Sequence, residues 1–238
     1  MPWKNSPRLR GSRADRMARS STAARTQVLI TGFGPFPGVP VNATMRLVPM
    51  LAEAMPRAFP DVVCDHMLLA TEWQTAPDRV AEAIRDNGAP DLVLHFGVSS
   101  RARGFEIETR ARNACQMSPD AAGALPAGPH LAPDGQIFLP ATLPVAHIVS
   151  RLRARGIAAF ASRDAGAYLC NAVLYRSLQT QGAHGVGRLG FVHIPASLAK
   201  PGGANRGRTG ACPLTWAQAL AGGLEIVAAS LGRPAPRL

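Results

Sequence analysis

Three short runs constrain the fold of this chain more than anything else in it: V-L-I-T at 28–31, D-L-V-L-H-F-G at 91–97 and R-L-G-F-V-H-I-P at 188–195. Each is apolar with little alternation. A strand exposed on one face alternates apolar and polar residues, whereas a continuous apolar run marks a strand covered on both faces, as in a parallel sheet between two helical layers. The stretches between these runs carry helical spacing. Met45, Leu47, Val48, Leu51 and Met55 follow Asn42, a candidate N-cap, with Pro49 in the early turns; Val80, Ala81 and Ile84 follow Pro77. Further helices are expected over about 144–155, 170–181 and 214–231, the last of them amphipathic. Further strands are expected over 62–70 and 157–162, with Phe105–Asn113 an extended segment near an edge. Residues 117–142 and 200–210 read as loops, and one as long as the first is commonly functional or mobile. The expected fold is a single-domain α/β structure, a three-layer α/β/α sandwich with a mostly parallel mixed sheet.

Other classes fall away on composition. No stretch approaches the ~20 apolar residues of a membrane helix. Four cysteines, Cys64, Cys115, Cys170 and Cys212, lack the spacing of a zinc ribbon or a disulfide framework. The net charge of +11 is uneven: residues 1–25 carry +6 of it and all but two of the basic residues are arginine, a bias that a GC-rich genome supplies. A basic leader attracts polyanions, but no recognition helix or stacking platform accompanies it, so nucleic acid is not the expected partner. The expected organisation is a disordered leader over 1–26, one domain over 27–231 and a tail over 232–238, with Met17 an alternative start.

Three segments carry chemistry. In D-A-G-A-Y-L-C-N at 164–171, Cys170 follows a small-residue turn and opens an apolar helical pattern. A thiol there feels the positive end of the helix dipole, which favours its thiolate, and the free N–H groups can receive an oxyanion. An inert core cysteine is the commoner reading of such a residue. His193 lies near the carboxyl end of a buried strand, where sites in open α/β sheets are built, although a lone histidine there is more often structural. Glu106 and Glu108 share one face of F-E-I-E-T-R-A-R-N, and alternation does not choose between them. A Cys–His pair with an orienting carboxylate is the constellation of thiol-dependent acyl transfer.

The chain resembles the pyroglutamyl peptidase I family, the pyrrolidone-carboxylate peptidases of cysteine peptidase family C15. T-G-F-G-P-F-P-G at 31–38 with Asn42 is similar to the family's T-G-F-x-P-F-G-G…N. H-F-G at 95–97 followed eleven residues later by Glu108 and then T-R-A-R-N is similar to its G…E-R-x-A-x-N, and this spacing selects Glu108. A-G-A-Y-L-C-N at 165–171 and G-F-V-H-I-P at 190–195 resemble the nucleophile turn and the histidine strand. The resemblance implies a cysteine exopeptidase that releases an N-terminal pyroglutamate through a thioester, with Cys170 as nucleophile, His193 as base and acid, and Glu108 as its orienting carboxylate. It implies Phe33 and Phe36 as walls of the ring slot, Thr71 and Tyr168 as further pocket positions, and Asn42 as the tie of the pocket loop. It implies no cofactor and no metal, peptide substrates, a cytoplasmic setting and assembly as dimers or tetramers.

The departures are specific. Pro37–Gly38 stands for the family's glycine pair, V-S-S-R-A-R-G follows the strand glycine at 97, and Thr109 replaces an arginine beside the glutamate. The stretch after Asn113 diverges, and the arginine that relatives supply there has no counterpart placed by the sequence. A related amidohydrolase with another small lactam or acyl substrate, and a weakly catalytic protein that binds polyanions through its leader, are the alternatives.

Overall fold

The computed structural model describes residues 25–86, 89–199 and 212–236. The basic leader, apart from Arg25 and Thr26, and the expected loop at 200–210 lie outside them. Among the described residues eight strands and five α-helices follow in the order β1 (Thr26–Phe33), α1 (Thr44–Ala58), β2 (Val62–Leu69), α2 (Thr75–Asp86), β3 (Leu92–Ser99), β4 (Phe105–Glu108), β5 (Arg110–Arg112), β6 (Phe138–Pro140), α3 (Val145–Ala154), β7 (Ala159–Ser162), α4 (Leu169–His184), β8 (Arg188–Pro195) and α5 (Trp216–Ser230).

Six strands form one sheet in the order β2-β1-β3-β8-β4-β7, while β5 and β6 pair separately. The three apolar runs become β1, β3 and β8, its central strands, all parallel. Within this six-stranded sheet the β4–β8 pairing alone is antiparallel, as is the separate β5–β6 pair. Phe105–Asn113 does not form the edge itself: β7 pairs outside β4, and the segment breaks after Glu108, so that Arg110–Arg112 leaves for β6.

Alternate residues of the central strands supply two cores. Val28, Ile30, Leu92, Leu94, Val192 and Ile194 pack with α1, α3 and α5. Leu29, Val93, Leu189 and Phe191 pack with α2 and α4. This makes the three layers, with the catalytic candidates on the α2–α4 face.

Two local expectations are corrected. Ala43, not Asn42, occupies the helix-cap position of α1, although Asn42 Oδ1 still accepts the Thr44 N–H at 3.1 Å. Helix α5, expected to be amphipathic, keeps partial exposure only in its first half: it is the middle helix of its layer, lying against both α1 and α3. From Leu224 to Ser230 every residue is buried. Close approach requires the G-G pair at 222–223, since a Cβ at 222 would stand 2.3 Å from the Phe105 ring. Its one buried charge, Glu225, is met by Arg151 and Arg155, with Arg155 Nε at 3.4 Å. The chain beyond α5 is tied down by Arg233, whose guanidinium bonds Asp61 at 2.6 Å and the Thr26 hydroxyl at 2.8 Å.

Candidate active site

At the carboxyl ends of β1, β3 and β8 the connecting loops diverge and leave a cleft of about 800 Å3. Crevices of an open α/β sheet form at such strand ends. Helix α4 starts at its floor. The preceding residue, Tyr168, is extended and makes no side-chain cap, so the first-turn N–H groups have no side-chain partner of that kind. Cys170 sits in this turn, half-buried, on the cleft wall. Opposite it, β3 has a glycine for want of room: a Cβ at position 97 would lie 2.6 Å from the Phe191 ring and 3.0 Å from Cys170 Sγ.

Gly97 pairs in register with His193 on β8, which brings the imidazole to the sulfur. His193 Nδ1 donates to Glu108 Oε1 at 2.9 Å, and Glu108 is fully buried. A carboxylate can only accept, so this bond fixes the tautomer and leaves Nε2 for the thiol side. Burial disfavours the imidazolium, but the Cys170 sulfur and the Glu108 carboxylate act the other way and raise the His193 pKa to about 10. Glu106 is the in-register partner of His193, and the bond to Nδ1 comes from Glu108 two residues on.

The pocket-loop residues separate into wall and support. Phe36 and Tyr168 line the cleft, their rings 6.1 Å apart, and Trp73 meets Tyr168 edge-on at 5.1 Å. Phe33, expected as a wall, is 2% exposed and stacks on Phe191 beneath the cleft. Its parity on β1 puts it in the core with Leu29. Thr71 is also buried, not a wall; its hydroxyl donates to the Gly34 carbonyl at 3.2 Å. Asn42 Nδ2 donates to the same carbonyl at 3.1 Å, so the two residues tie down the loop that carries Phe36.

Three supporting residues were not singled out by the sequence. Asn171 bolts the start of α4 to the 112–114 segment, bonding Arg112 N and O and Ala114 O; its position beside Cys170 was the available signal. Trp73 is held by Asp120 at its N–H and by Ser118 at Nε1. Asp120 in turn receives the Ala122 and Ala124 N–H groups, pinning the loop around 118–124 against Trp73. Burial raises the Asp120 pKa, but bonds from Trp73, Ala124, Ala122 and Gly123 outweigh it and the net shift is downward. Beneath the site His95 bridges Thr31 (2.8 Å) and Ser177 (3.1 Å), and burial lowers its pKa to about 3.

A family model described as pyroglutamyl peptidase matches residues 26–224. The chain belongs to the pyroglutamyl peptidase family. It is 32% identical over 178 residues to the pyrrolidone-carboxylate peptidase of Pyrococcus furiosus, covering 71% of this chain and 80% of that one. It is also 32% identical over 180 residues to pyroglutamyl-peptidase 1 of Rattus norvegicus, covering 74% and 82%. The structure of pyroglutamyl peptidase I from Bacillus amyloliquefaciens matches with a TM-score of 0.75 at 25% identity, over 87% of this chain and 95% of its own. The family's α/β fold is therefore this chain's fold.

Within the family frame the divergent segments face the cleft. Ser99, Ser100, Arg101 and Gln116 line it, as does Arg112 from the neighbouring T-R-A-R-N stretch. No arginine occurs between Arg112 and Arg151 in the sequence. The Arg112 guanidinium is turned to the Gly166 carbonyl at 3.1 Å. Among the described residues no cluster of His, Cys, Asp or Glu could hold a metal ion, and no helix is long and apolar enough to cross a membrane.

Proposed function

We propose that this chain is a cysteine exopeptidase that hydrolyses the amide bond after an N-terminal pyroglutamate. The observation that carries the reading is the convergence on one cleft of Cys170, at an uncapped helix start, with a His193 whose Nδ1 is held by buried Glu108.

The chemistry follows from the protonation pattern. With Glu108 on Nδ1, Nε2 of His193 takes the Cys170 proton, giving a thiolate–imidazolium pair. The sulfur attacks the carbonyl carbon that joins the pyroglutamyl group to the next residue. The negative oxygen of the tetrahedral intermediate is received by first-turn N–H groups of α4. As the C–N bond breaks, the imidazolium gives its proton to the leaving amine and a thioester remains. His193 then takes a proton from water, the hydroxide attacks the thioester, and the C–S bond breaks to release free pyroglutamate and the thiolate. The pyrrolidone ring is small, flat and uncharged. The Phe36–Tyr168 wall with Trp73 behind it suits such a group, with orientation left to a few hydrogen bonds.

A pyroglutamyl fluorogenic amide tests the proposal. The expected result is dye release by the wild type and a loss of at least about 10^4-fold in kcat with Cys170→Ser. Labelling of Cys170 by iodoacetamide without any pyroglutamyl turnover would instead favour an amidohydrolase for another small acyl group, the reading to which the altered 98–103 and 114–125 segments point.

A further inference from the structure

The register of the sheet extends the site past its reacting groups. Gly97 of β3, His193 of β8, Glu106 of β4 and Phe160 of β7 are successive in-register partners. They form one row across the sheet, and register partners share a face. Cys170 stands over the first member of the row. His193, Glu106 and Phe160 all line the cleft.

The hydrolytic steps leave Glu106 and Phe160 without a task. The carboxylate on His193 is Glu108. Glu106 is partly buried and forms no ion pair among the described residues, although two arginines line the same cleft. Of these, Arg112 is engaged with Gly166 and lies 3.9 Å from Asp164, and Arg101 is exposed at the strand end. Phe160 is 41% exposed at the sheet edge, with the Arg153 guanidinium 5.4 Å from its ring centroid.

The direction of the row decides its use. In the proposed reaction the ring lies toward Phe36 and Tyr168, and the imidazole hands its proton to the leaving nitrogen. The leaving peptide therefore begins over His193. Adjacent strands are about 4.8 Å apart, so Glu106 lies within reach of the first leaving residue's side chain, and Phe160 lies one strand further. We infer that Glu106 and Phe160 form the recognition track for the leaving peptide, with Glu106 selecting a cationic residue directly after the pyroglutamate. Arginine fits both members best, because its charge meets Glu106 while the far edge of its guanidinium plane reaches the exposed part of the Phe160 ring that Arg153 leaves open.

This inference rests on the pyroglutamyl reading, and its test separates the two. Peptide amides beginning pyroglutamyl-Arg, pyroglutamyl-Ala and pyroglutamyl-Asp are compared by kcat/KM at low and at 0.5 M salt, about the range over which ion pairing is screened. The expected order is Arg above Ala above Asp, with roughly a tenfold Arg-to-Ala ratio that shrinks at high salt. Glu106→Gln is expected to bring that ratio close to one, and Phe160→Ala to reduce it partly. Turnover by the wild type with no preference for arginine overturns the inference alone. An equal loss on all three substrates in Glu106→Gln also overturns it, since Glu106 would then be acting on His193. Failure of the wild type on every pyroglutamyl substrate removes the proposed function and this inference together. If Glu106→Gln does not fold, the wild-type order and its salt dependence decide by themselves.

Discussion

Two glutamates of this chain are almost wholly buried, and each meets a cation. Glu108 stands on β4 against His193; Glu225 stands in α5 against Arg151 and Arg155. Each also leaves its Oε2 without a hydrogen bond. The difference lies in the partner. Glu225 faces two guanidiniums that never lose their charge, and the pairs lock α3 against α5. Glu108 faces an imidazole on which a proton arrives and departs. A buried carboxylate held against a fixed cation makes a joint, whereas one held against a titrating cation governs where a proton rests.

The comparison is sharpened by making the same substitution twice. Glu108→Gln keeps the shape and removes the charge that supports the imidazolium. Its expected cost is about 10^3-fold or more in kcat with little change in KM or Tm, measured on the fluorogenic amide alongside thermal unfolding. Equal kcat in wild type and variant would break the distinction. Glu225→Gln is expected to do the reverse: kcat stays near wild type while stability falls by about 3 kcal/mol, because two guanidiniums are left facing a neutral amide. In a chain of this length that lowers Tm by roughly 6–12 °C. A Glu225→Gln variant as stable as the wild type would mean that the arginines are adequately solvated without it.

A smaller effect is expected from the third buried acid. Asp120 holds its charge for backbone N–H groups rather than for a side-chain cation. Its folded pKa lies below its ordinary value of 3.8, so its stabilisation is present above that value and is lost as pH falls through the lower folded one. Trp73 fluorescence should therefore hold its native position down to about pH 4 and relax only below it. Asp120→Asn should raise KM roughly tenfold at neutral pH with kcat less affected, by loosening the Trp73–Tyr168 wall. An unchanged KM would show that the wall stands without this anchor.

Much of the fold was legible because burial on both faces leaves an unbroken apolar run, and β1, β3 and β8 are such runs. The central helix α5 was misread because its small residues, Gly222 and Gly223 among them, look like a weak polar face until Phe105 and Leu51 are seen pressed against them. At the site, Cys170 and His193 were readable from helix-start and strand-end chemistry together with the family motifs. The choice of Glu108 over Glu106 rested on motif spacing alone, since both lie on one face. Only the β4–β8 pairing separates them, setting one opposite the histidine and the other within bonding distance of its Nδ1. Phe33 failed as a wall because strand parity turns it inward. Trp73 and Asn171 act through backbone groups of distant segments, and no local pattern records such partners.

The clip made by Arg233 has a bearing on how the chain is assembled. It grips Asp61 at the entry to β2 and Thr26 at the entry to β1, a contact spanning 207 positions. Contacts of such high sequence separation form slowly, so β1 and β2 pair along their ladder before Arg233 returns to seal their mouth. Until then this sheet edge is held by its ladder alone, and closing so long a loop is a late step of folding.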